Sequence, residues 1–418
     1  MVRTLDDAHL EAATVGVRID VNSPMDGPDS LADDARLQAH VDTLSELANR
    51  GAAVVVLAHQ GRPGGDQFHS LSAHAKRFGE LLEVPVAHVD ATFSRDARKA
   101  VSDLAAGSIL LLENVRFYSE EYMEFEPERA ARTHLVAALA PLFDCYVNDA
   151  FAAAHRSQPS LVGFPVVLPA YAGRVMEREL SVLGTLESSP RPRTYVLGGA
   201  KVEDSLEVAW SVLERDLADH VLTTGLVGNV FLFADGVDLG DASASVVEDR
   251  CGWATVERAR DLLDAHGDRI SLARDVALEG PDGRLEVGVN ALPGPVDGPA
   301  LDVGSATADH YRRLIAESAT VILNGPAGVF ERQAFADGTR ELFEAATAVE
   351  HSVVGGGDTA AAIRALGIEG FSHVSTGGGA ALAMLTGEEL PAVTALEASP
   401  EPTGDGGAGE DVSPASGP

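Results

Sequence analysis

Short runs of β-branched and other apolar residues alternate with amphipathic helical segments along almost the whole chain, and this alternation constrains the fold more than any other feature. In the first half the strand candidates are VGVRIDV (15–21), AVVVLAH (53–59), SILLLEN (108–114) and DCYVNDA (144–150). In the second half they are TYVLGG (194–199), DHVLTTG (219–225), ISLARDV (270–276), TVILNG (320–325), HSVVGGG (351–357) and FSHVSTGG (371–378). Strands separated by helical patterns predict parallel sheets covered on both faces. About ten strands are more than a single twisted open sheet usually holds. We therefore expect an α/β fold with two doubly wound parallel-sheet domains.

Breaks in the alternation suggest where the domains begin and end. The helical stretch YAGRVMERELSVLGTLES, followed by the breaker SPRPR, is the expected joint. Residues 278–300 contain several Gly and Pro residues that interrupt the regular pattern, and they predict a hairpin inserted between the main elements. The predicted limits are a first domain at 1–170, a hinge helix at 171–190, a second domain at 191–385, a segment at 386–396 that returns toward the first domain, and a disordered Pro/Gly/Ser/acidic tail at 397–418.

The charge of the chain is strongly negative. Its 418 residues include 31 Lys and Arg against 64 Asp and Glu, which gives a formal net charge of −33, and only three of the 31 cations are lysine. This balance argues against binding nucleic acid or an anionic membrane through the general surface. Excess acid with so little lysine suggests a salt-rich cytoplasm, because molar salt screens the self-repulsion of the folded state. An acidic protein from an ordinary cell is the alternative.

The remaining composition bears on location. The two cysteines form no CxxC pair and no disulfide framework, which predicts a reducing compartment. The N-terminal sequence MVRTLDDAHLEAA lacks the apolar region of a signal peptide, and no apolar run approaches a membrane span. We therefore expect a cytoplasmic protein without membrane partners, and the charge balance above argues against nucleic-acid partners. We also expect a monomer, although none of these sequence features determines the oligomeric state.

Polar and basic clusters follow four strand candidates of the first half, where ligands bind in an open α/β sheet. The clusters contain Asp20 and Asn22, His59 and Arg62, Asn114 and Arg116, and Asn148, Asp149, His155 and Arg156. Arg36 lies near the start of the first helix, where a cation opposes the helix dipole unless an anion is near. Each residue alone is explained as a turn former or a solvated charge. Together they predict a positive basin that binds a phosphate and a carboxylate.

Glycine-rich loops follow the strand candidates of the second half. They are GGAKVEDS, TTGLVGNV, NGPAGVFE, GGGDT and STGGGAALAML. Glycine lets the backbone approach a ligand, and the start of the following helix turns amide groups toward anions. Asp358, at a helix entry, is a candidate ligand of nucleotide-bound magnesium, although a plain helix cap explains Asp358 or Thr359 equally simply. Five such loops in one half predict a nucleotide site.

Several motifs are absent from the sequence, and their absence narrows the choice of function. There is no GK dipeptide for a Walker A loop, no GxGxxG after the first strand candidate, and no HRD. The thirteen histidines show no HExxH and no zinc spacing, so we expect no structural metal.

Eight segments, in this order, resemble the phosphoglycerate kinase family: RIDVNSP, HQGRP, LLENVRF, NDAFAAAHR, GGAKVEDS, NGPAGVFE, GGGDT and STGGGA. The resemblance covers about residues 10–396. It implies two Rossmann-like domains joined by a hinge helix, one binding 3-phosphoglycerate or 1,3-bisphosphoglycerate and the other binding magnesium with ADP or ATP. The implied reaction is reversible phosphoryl transfer between 1,3-bisphosphoglycerate and ADP, in line and after domain closure.

The resemblance also implies site residues by position. The implied substrate-binding residues are Asp20, Val21, Asn22, Arg36, His59, Gln60, Gly61, Arg62, Arg116 and Arg156. The implied nucleotide-binding residues are Glu331, for the ribose, with Gly356, Gly357, Asp358 and Thr359, and Asp358 is also the implied magnesium ligand. The implied catalytic residues are Arg36, Lys201, Gly378 and Gly379.

Lys201 stands out because nearly all the basic residues of the chain are arginine, yet a lysine follows closely after Gly198 and Gly199. A compact ammonium on a flexible stem can follow a migrating phosphoryl group, whereas a planar guanidinium suits a fixed phosphate. The resemblance places Lys201 beside the group that is transferred.

Four positions depart from the family pattern. Ser205 stands where most members have a second lysine, Gln158 replaces a histidine, Gln60 a leucine and Leu323 a tryptophan. Ser205 keeps open a rival hypothesis, a catalytically silent binding protein on the same scaffold, while the missing GxGxxG disfavours a dehydrogenase. A coupled assay for ATP-dependent consumption of 3-phosphoglycerate distinguishes the enzyme from the binding protein.

The charge balance predicts that phosphoryl-transfer activity depends on salt. We expect the rate to rise as KCl is raised from about 0.1 M to about 3 M, because the Debye length falls to a few ångströms and the carboxylates stop repelling one another. Initial rates across this series test the expectation. Full activity without added salt would contradict it.

Overall fold

The computed structural model describes residues 2–294 and 296–402, and it contains two six-stranded sheets whose strands all pair in parallel. The first sheet has the strand order β3–β4–β2–β1–β5–β6. Its strands are β1 (Thr14–Arg18), β2 (Ala53–Leu57), β3 (Val86–His88), β4 (Ile109–Leu111), β5 (Cys145–Asn148) and β6 (Ala170–Ala172). The order reverses direction at β1 and β5, so a crevice is expected beyond their carboxyl ends.

Helices and short 3-10 turns connect the strands of the first sheet. The helices are α1 (Ala35–Ala39), α2 (Val41–Asn49), α3 (Ser72–Leu81), α4 (Arg95–Ser102), α5 (Pro127–Ala130), α6 (His134–Leu139), α7 (Pro159–Val162) and α8 (Phe164–Val167). The 3-10 turns are Leu5–Asp7, Val115–Phe117, Ser119–Tyr122, Ala140–Leu142 and Phe151–Ala153. The central strands β1 and β2 are buried almost throughout, which suits strands covered on both faces.

The second parallel sheet follows α9 (Arg174–Gly184) and a 3-10 turn at Leu186–Ser188. Its strands are β7 (Arg193–Leu197), β8 (His220–Thr223), β9 (Ile270–Ser271), β13 (Thr320–Asn324), β14 (His351–Gly355) and β15 (His373–Val374), in the order β15–β14–β13–β7–β8–β9. Counted within this half, that is the doubly wound order 6-5-4-1-2-3, whose direction reverses between β7 and β13.

A smaller antiparallel sheet interrupts the second half. Its strands are β10 (Asp275–Gly280), β11 (Gly283–Gly288) and β12 (Ala300–Val303), in the order β11–β10–β12. The helices of this half are α10 (Val202–Glu214), α11 (Gly225–Ala234), α12 (Asp241–Arg250), α13 (Ala254–His266), α14 (Ser305–Ala316), α15 (Asp337–Thr347), α16 (Gly357–Leu366), α17 (Gly379–Thr386) and α18 (Pro391–Glu397). Two further 3-10 turns span Val289–Ala291 and Gln333–Phe335.

One apolar cluster runs from the first half through α9 into the second half. It includes Phe151 of the first half, Met176 and Leu183 of α9, and Leu206 and Ala380 of the second half. Helix α17 packs against the Phe151–Ala153 turn as well as against α9 and α10. The loops that end in α17 are therefore held against the first half by apolar burial, the main favourable term in packing.

The chain returns to the first sheet at its C-terminal end. Helix α18 begins within the segment 386–396, for which we predicted such a return, and packs against α7, α8 and β6. Beyond it, Arg3 donates hydrogen bonds to the Ser399 and Pro400 carbonyl oxygens and pairs with Glu401. The predicted start of the disordered tail at 397 is therefore too early, because α18 and these Arg3 contacts order the chain to 401. Residues 403–418 of that prediction lie outside the described residues.

The predicted fold class is confirmed, and the differences from prediction are local. The ISLARDV segment (270–276) is split between β9 and β10, which belong to different sheets. The edge strands β3 and β6 were not predicted, since three residues give too short a pattern. The first helix, whose start was predicted near Arg36, is divided at His40 into α1 and α2, and the predicted joint at 171–190 begins as strand β6 before α9.

Within residues 2–294 and 296–402, no helix combines the length and the apolar character needed to cross a bilayer.

Glu113, just after β4, provides a test of how the first half is held together. Its buried carboxylate accepts hydrogen bonds from Ser70 Oγ at 2.6 Å and Leu71 N at 2.9 Å. Burial raises the pKa of Glu113, but the His88 ring and these hydrogen bonds outweigh it and lower the pKa to about 2. A lowered pKa stabilises the fold above the unfolded value and loses that effect as pH falls toward 2.

We expect Glu113→Gln to lower the free energy of unfolding by roughly 2 kcal/mol at pH 7, and by clearly less at pH 3. Urea unfolding at constant KCl measures both values. Glu83→Gln, at an exposed position of the same half, matches the change of charge and should have little effect at either pH. Equal losses at pH 7 and pH 3 would contradict the assignment.

Candidate active site

The first cavity lies beyond the carboxyl ends of β1 and β2 and opens between the two halves. Its volume is about 630 Å³. Its lining includes Asp20, Asn22, Arg36, Gln60, Gly61 and Arg62 from the first half and Gly357, Arg364 and Thr376 from the second. The parallel sheet explains this convergence, because the segments that follow β1 and β2 leave it at the same edge.

Asp20 holds Arg36 in this cavity. The buried Asp20 carboxylate accepts hydrogen bonds from the Arg36 guanidinium and from Asn22 N, the latter at 3.2 Å. Burial raises the pKa of Asp20, but the charge of Arg36 and the hydrogen bond from Asn22 outweigh it and lower the pKa to about 2. The pair is therefore charged at neutral pH. About 40 % of the Arg36 side chain stays exposed and available to a ligand.

Basic side chains cluster around this pair. Burial lowers the pKa of Arg116 to about 10, and repulsion from Arg18, Arg156 and Arg62 adds to the effect. Burial and Arg62 also lower the pKa of Arg156. Like charges held this close repel one another, so an anion that binds among them lowers the energy of the whole cluster.

The loops after β1 and β2 are fixed to each other by Asn22, Gln60 and Gly61. Gly61 N donates to Asn22 Oδ1 at 2.8 Å, and Arg116 Nη1 donates to Gly61 O at 2.9 Å. Gly61 has φ +68°, and a Cβ there would lie 2.2 Å from Gln67 O, so only glycine fits. The Gln60 side chain is fully buried, accepts from Ser23 N at 3.0 Å and donates to Ser23 O at 2.9 Å.

The second cavity lies at the carboxyl ends of β7, β13 and β14, in the glycine-rich half. The residues that line it are Gly198, Gly199, Ala200, Lys201, Asp204, Ser205, Asn324, Gly325, Gly356, Asp358, Thr359, Gly378, Gly379 and Leu382. The backbones of two loops touch here: a Cβ on Gly325 would lie 2.1 Å from Gly198 O. Thr359 is fully buried and its hydroxyl accepts from Gly325 N at 2.8 Å, so the loops are held together without bulky side chains.

Lys201 and Asp358 face each other across this cavity. Lys201 Nζ lies 3.1 Å from Asp358 Oδ2, and each side chain is 64 % exposed. An exposed pair of this kind adds little to stability, so both groups are available to a ligand. Among the described residues no cluster of three or more His, Cys, Asp or Glu could enclose a metal ion. A single accessible carboxylate nevertheless fits magnesium, which is commonly held by one or two carboxylates together with phosphate oxygens.

The two cavities adjoin. Gly357 lines the first, whereas its neighbours Gly356 and Asp358 line the second. The loop before α17 touches the first half directly, since a Cβ on Gly377 would lie 2.6 Å from Phe151 Cε1 and one on Gly379 would lie 2.9 Å from the His155 ring. The basic cluster and the glycine loops therefore border one gap.

Two buried carboxylates attach helix α9 to the two halves. Asp149, just after β5, binds the start of the helix, and Glu179, within the helix, binds the loop before α17. Asp149 Oδ1 accepts from Val175 N at 2.8 Å, and Asp149 Oδ2 lies 2.7 Å from His40 Nδ1. Glu179 accepts from Thr376 N at 2.6 Å and from His373 Nε2 at 2.9 Å. Asn148 and Asp149 were candidates from the sequence, but Asp149 serves to position α9, and Glu179 gave no signal in the sequence.

Most of the predicted site residues lie at one of the two cavities, and a few do not. Most substrate-binding candidates line the first cavity or belong to its basic cluster, and most nucleotide candidates line the second. Val21 is buried and is not among the residues that line either cavity, whereas Gln60 lines the first cavity but uses its amide for hydrogen bonds within the protein. Glu331 is exposed on the loop after β13 and, among the described residues, makes no hydrogen bond or ion pair with the other candidates.

Sequence reasoning missed Arg18, the last residue of β1. Its side chain is buried, and Arg18 Nη2 lies 2.9 Å from His59 Nδ1. An arginine inside a central parallel strand is itself unusual, because such strands are otherwise apolar. The arginine within this apolar strand could therefore have marked Arg18 as a candidate site residue.

Known proteins resemble this chain in sequence and in fold. A sequence profile described as Phosphoglycerate kinase matches residues 5–388. The chain is 61 % identical over 398 residues to a protein named Phosphoglycerate kinase from Natronomonas pharaonis, covering 95 % of this chain and 100 % of that one. It is 60 % identical over 395 residues to one of the same name from Halobacterium salinarum, covering 94 % and 99 %. The crystal structure of phosphoglycerate kinase from Pyrococcus horikoshii OT3 matches with a TM-score of 0.88 at 40 % identity, covering 95 % of this chain and 98 % of that one.

The contact between Gly377 and Phe151 predicts a steric effect on stability. We expect Gly377→Ala to lower the free energy of unfolding by about 1–3 kcal/mol, because the new methyl group overlaps the ring at a packed contact. Gly79→Ala in α3, where nothing lies within 4 Å, is the matched control and should be neutral or slightly stabilising. Urea unfolding in KCl measures both, and an unchanged Gly377→Ala protein would show that the contact is loose.

Proposed function

Because the chain belongs to the phosphoglycerate kinase family, we propose that it transfers a phosphoryl group reversibly between 1,3-bisphosphoglycerate and ADP, giving 3-phosphoglycerate and ATP, as a step of glycolysis and gluconeogenesis. The observation that carries the proposal is the pair of adjoining cavities, one basic and the other built of glycine loops. A small doubly acidic substrate matches the first, and a nucleoside polyphosphate matches the second.

At the substrate end, the arginines bind the anionic groups of the phosphoglycerate. Arg62 is exposed in the first cavity and has no hydrogen-bond or ion-pair partner among the described residues, so its forked donors are available to phosphate. Arg116, Arg156 and His59 surround the same position, while Asp20 and Asn22 fix Arg36 and the loop. In this arrangement the carboxylate of the substrate points toward the second cavity.

At the nucleotide end, the loop Gly356–Thr359 and the start of α16 receive the phosphates through backbone amides. Asp358 would hold the magnesium ion, which when bound neutralises phosphate charge. Glu331 is the proposed ribose contact on the loop after β13. Ser205 lines the second cavity but adds no positive charge, so Lys201 is the cation among the described residues that line it.

The transfer itself needs little covalent work by the protein. An oxygen of the 3-phosphoglycerate carboxylate attacks the γ-phosphorus of ATP, the bond from that phosphorus to the β-γ bridging oxygen breaks, and ADP leaves with the electron pair. Arg36, Lys201 and the amides near Gly378 and Gly379 neutralise the oxygens of the group in transit. No general base is required, because the nucleophile is already ionised. Closure about α9 aligns the two substrates and excludes water.

The same proposal covers the setting of the enzyme. A chain with a net charge of −33 disfavours nucleic acid and anionic membranes as partners. We propose that it acts as a cytoplasmic monomer in a salt-rich cell, and the two relatives at 60–61 % identity come from halophilic archaea.

The catalytic roles of Arg36 and Lys201 can be tested separately from folding. We expect Arg36→Ala and Lys201→Ala each to lower kcat by about 100-fold or more, because each removes a charge that stabilises the transition state. Lys99→Ala removes a surface lysine that forms an ion pair with Asp103, away from both cavities, and should keep full activity. A coupled assay of ATP-dependent 3-phosphoglycerate consumption, with circular dichroism as the folding check, measures all three. Near-normal turnover in both site variants would contradict the mechanism, and a wild-type protein without turnover would favour the silent binding protein.

A further inference from the structure

We propose that Glu121, acting through Ser160 and Arg18, fixes the His59 imidazole as the tautomer that carries its proton on Nε2. His59 then presents a permanent hydrogen-bond donor to the anionic substrate and takes no part in proton transfer. Glu121 and Ser160 are positioning residues in this proposal, since they act on His59 only through Arg18.

The tautomer follows from the chemistry of the contact between Arg18 and His59. Arg18 Nη2 lies 2.9 Å from His59 Nδ1, and both side chains are buried. A guanidinium can only donate, so Nδ1 must be the acceptor and cannot carry a proton. A neutral imidazole then has its proton on Nε2, which has no hydrogen-bond partner among the described residues and is free to donate.

Arg18 can impose this tautomer because the protein holds it on three sides. Its Nε donates to Ser160 Oγ at 2.9 Å, and its Nη1 donates to the Ile19 carbonyl oxygen. With Nη2 on His59, every nitrogen of the guanidinium has a partner. The side chain therefore has no freedom to turn toward a ligand, and its effect on the ligand passes through His59.

Ser160, at the start of α7, joins Arg18 to a buried carboxylate. Ser160 N and Oγ donate to the two oxygens of Glu121 at 2.7 Å and 2.8 Å, while the Oγ accepts from Arg18. Tyr146 Oη donates to Ser160 O at 2.6 Å and holds the backbone of the turn. Because the single Ser160 hydroxyl proton is committed to Glu121, its lone pairs are left to accept from Arg18.

Glu121 places an acidic group close to the buried Arg18 guanidinium. It is itself buried, and burial raises its pKa, while the charges of Arg18 and Arg116 and the hydrogen bonds from Ser160 lower it. In its ionised form it accepts both Ser160 hydrogen bonds and balances part of the charge of the two arginines. The next residue, Tyr122, lies against the Arg116 guanidinium, 5.4 Å from ring centroid to Cζ. A single 3-10 turn, Ser119–Tyr122, thus contacts one arginine of the cluster and, through Ser160, places a second.

The surroundings of His59 agree with a neutral ring. Burial lowers its pKa well below the usual value, Arg18, Arg116 and Arg156 add to that effect, and Asp20 opposes it. A neutral donor that stays neutral suits a carboxylate or phosphate ligand, because its charge does not change with pH over the physiological range.

The first test is spectroscopic and needs no substrate. Long-range ¹H–¹⁵N spectra of the full-length wild-type chain with ¹⁵N-labelled histidine, recorded in KCl between pH 6 and pH 8, report the tautomer of each ring. The His59 signals are identified by their loss in His59→Gln. We expect the pattern of a proton on Nε2 throughout, and a proton on Nδ1 or a doubly protonated ring would overturn the proposal.

The second test changes Glu121, which begins the series of contacts from Glu121 through Ser160 and Arg18 to His59. We call this series the relay. Glu121→Gln keeps the shape but removes the charge and puts an amide donor against the Ser160 hydroxyl. We expect a mixed tautomer for His59 and a KM for 3-phosphoglycerate raised about tenfold, with a smaller change in kcat, because the hydrogen bonds that hold Ser160 and Arg18 lose the assistance of the carboxylate charge. Glu120→Gln makes the same charge change at the neighbouring position and should alter neither readout. An unchanged tautomer and KM in Glu121→Gln would refute the relay.

The kinetic readout rests on the proposed substrate role of His59, whereas the tautomer readout does not. If Glu121→Gln changes the His59 spectrum but leaves KM unchanged, the role of His59 in substrate binding fails and with it the functional part of this inference. If Glu121→Gln does not fold, the wild-type spectrum alone still decides the tautomer.

Discussion

Parallel strand pairing is the constraint on which the rest of the structure depends. In each of the two six-stranded sheets the strands run in one direction, so every segment that leaves a carboxyl end does so at the same edge. Residues 20–22, 59–62, 114–116 and 155–156 are far apart in sequence, yet they meet because the strands before them are neighbours. An antiparallel arrangement would divide the same residues between two opposite edges.

A basic cluster inside so acidic a chain needs internal counter-charges. Asp20 pairs with Arg36, and Glu121 faces Arg18 and Arg116, so two buried carboxylates offset part of the positive charge. The offset is incomplete, and the remaining positive charge is what attracts an anion. The many surface carboxylates lie outside this balance, and salt screens them far more effectively than it screens buried pairs.

The joint between the halves combines apolar packing with directional hydrogen bonds. Phe151 and Ala380 bury apolar surface across it, while Asp149 and Glu179 attach α9 to the first half and to the loop before α17. Burial is non-directional and tolerates small sliding movements, whereas buried carboxylates fix positions closely. The combination keeps the two cavities side by side and fixes α9 between them.

The sequence by itself determined the fold class, most strand positions and which half carries arginines or glycines, because hydrophobic period, turn residues and motif order are local properties. It did not reveal the short edge strands β3 and β6, the split of residues 270–276 between two sheets, or the roles of Asp149 and Glu179. It also missed the relay from Glu121 to His59, whose contact between Arg18 and Ser160 spans 142 positions. Such contacts were decided only by the tertiary structure, because a buried polar group takes whichever partner the packing of the elements brings within reach.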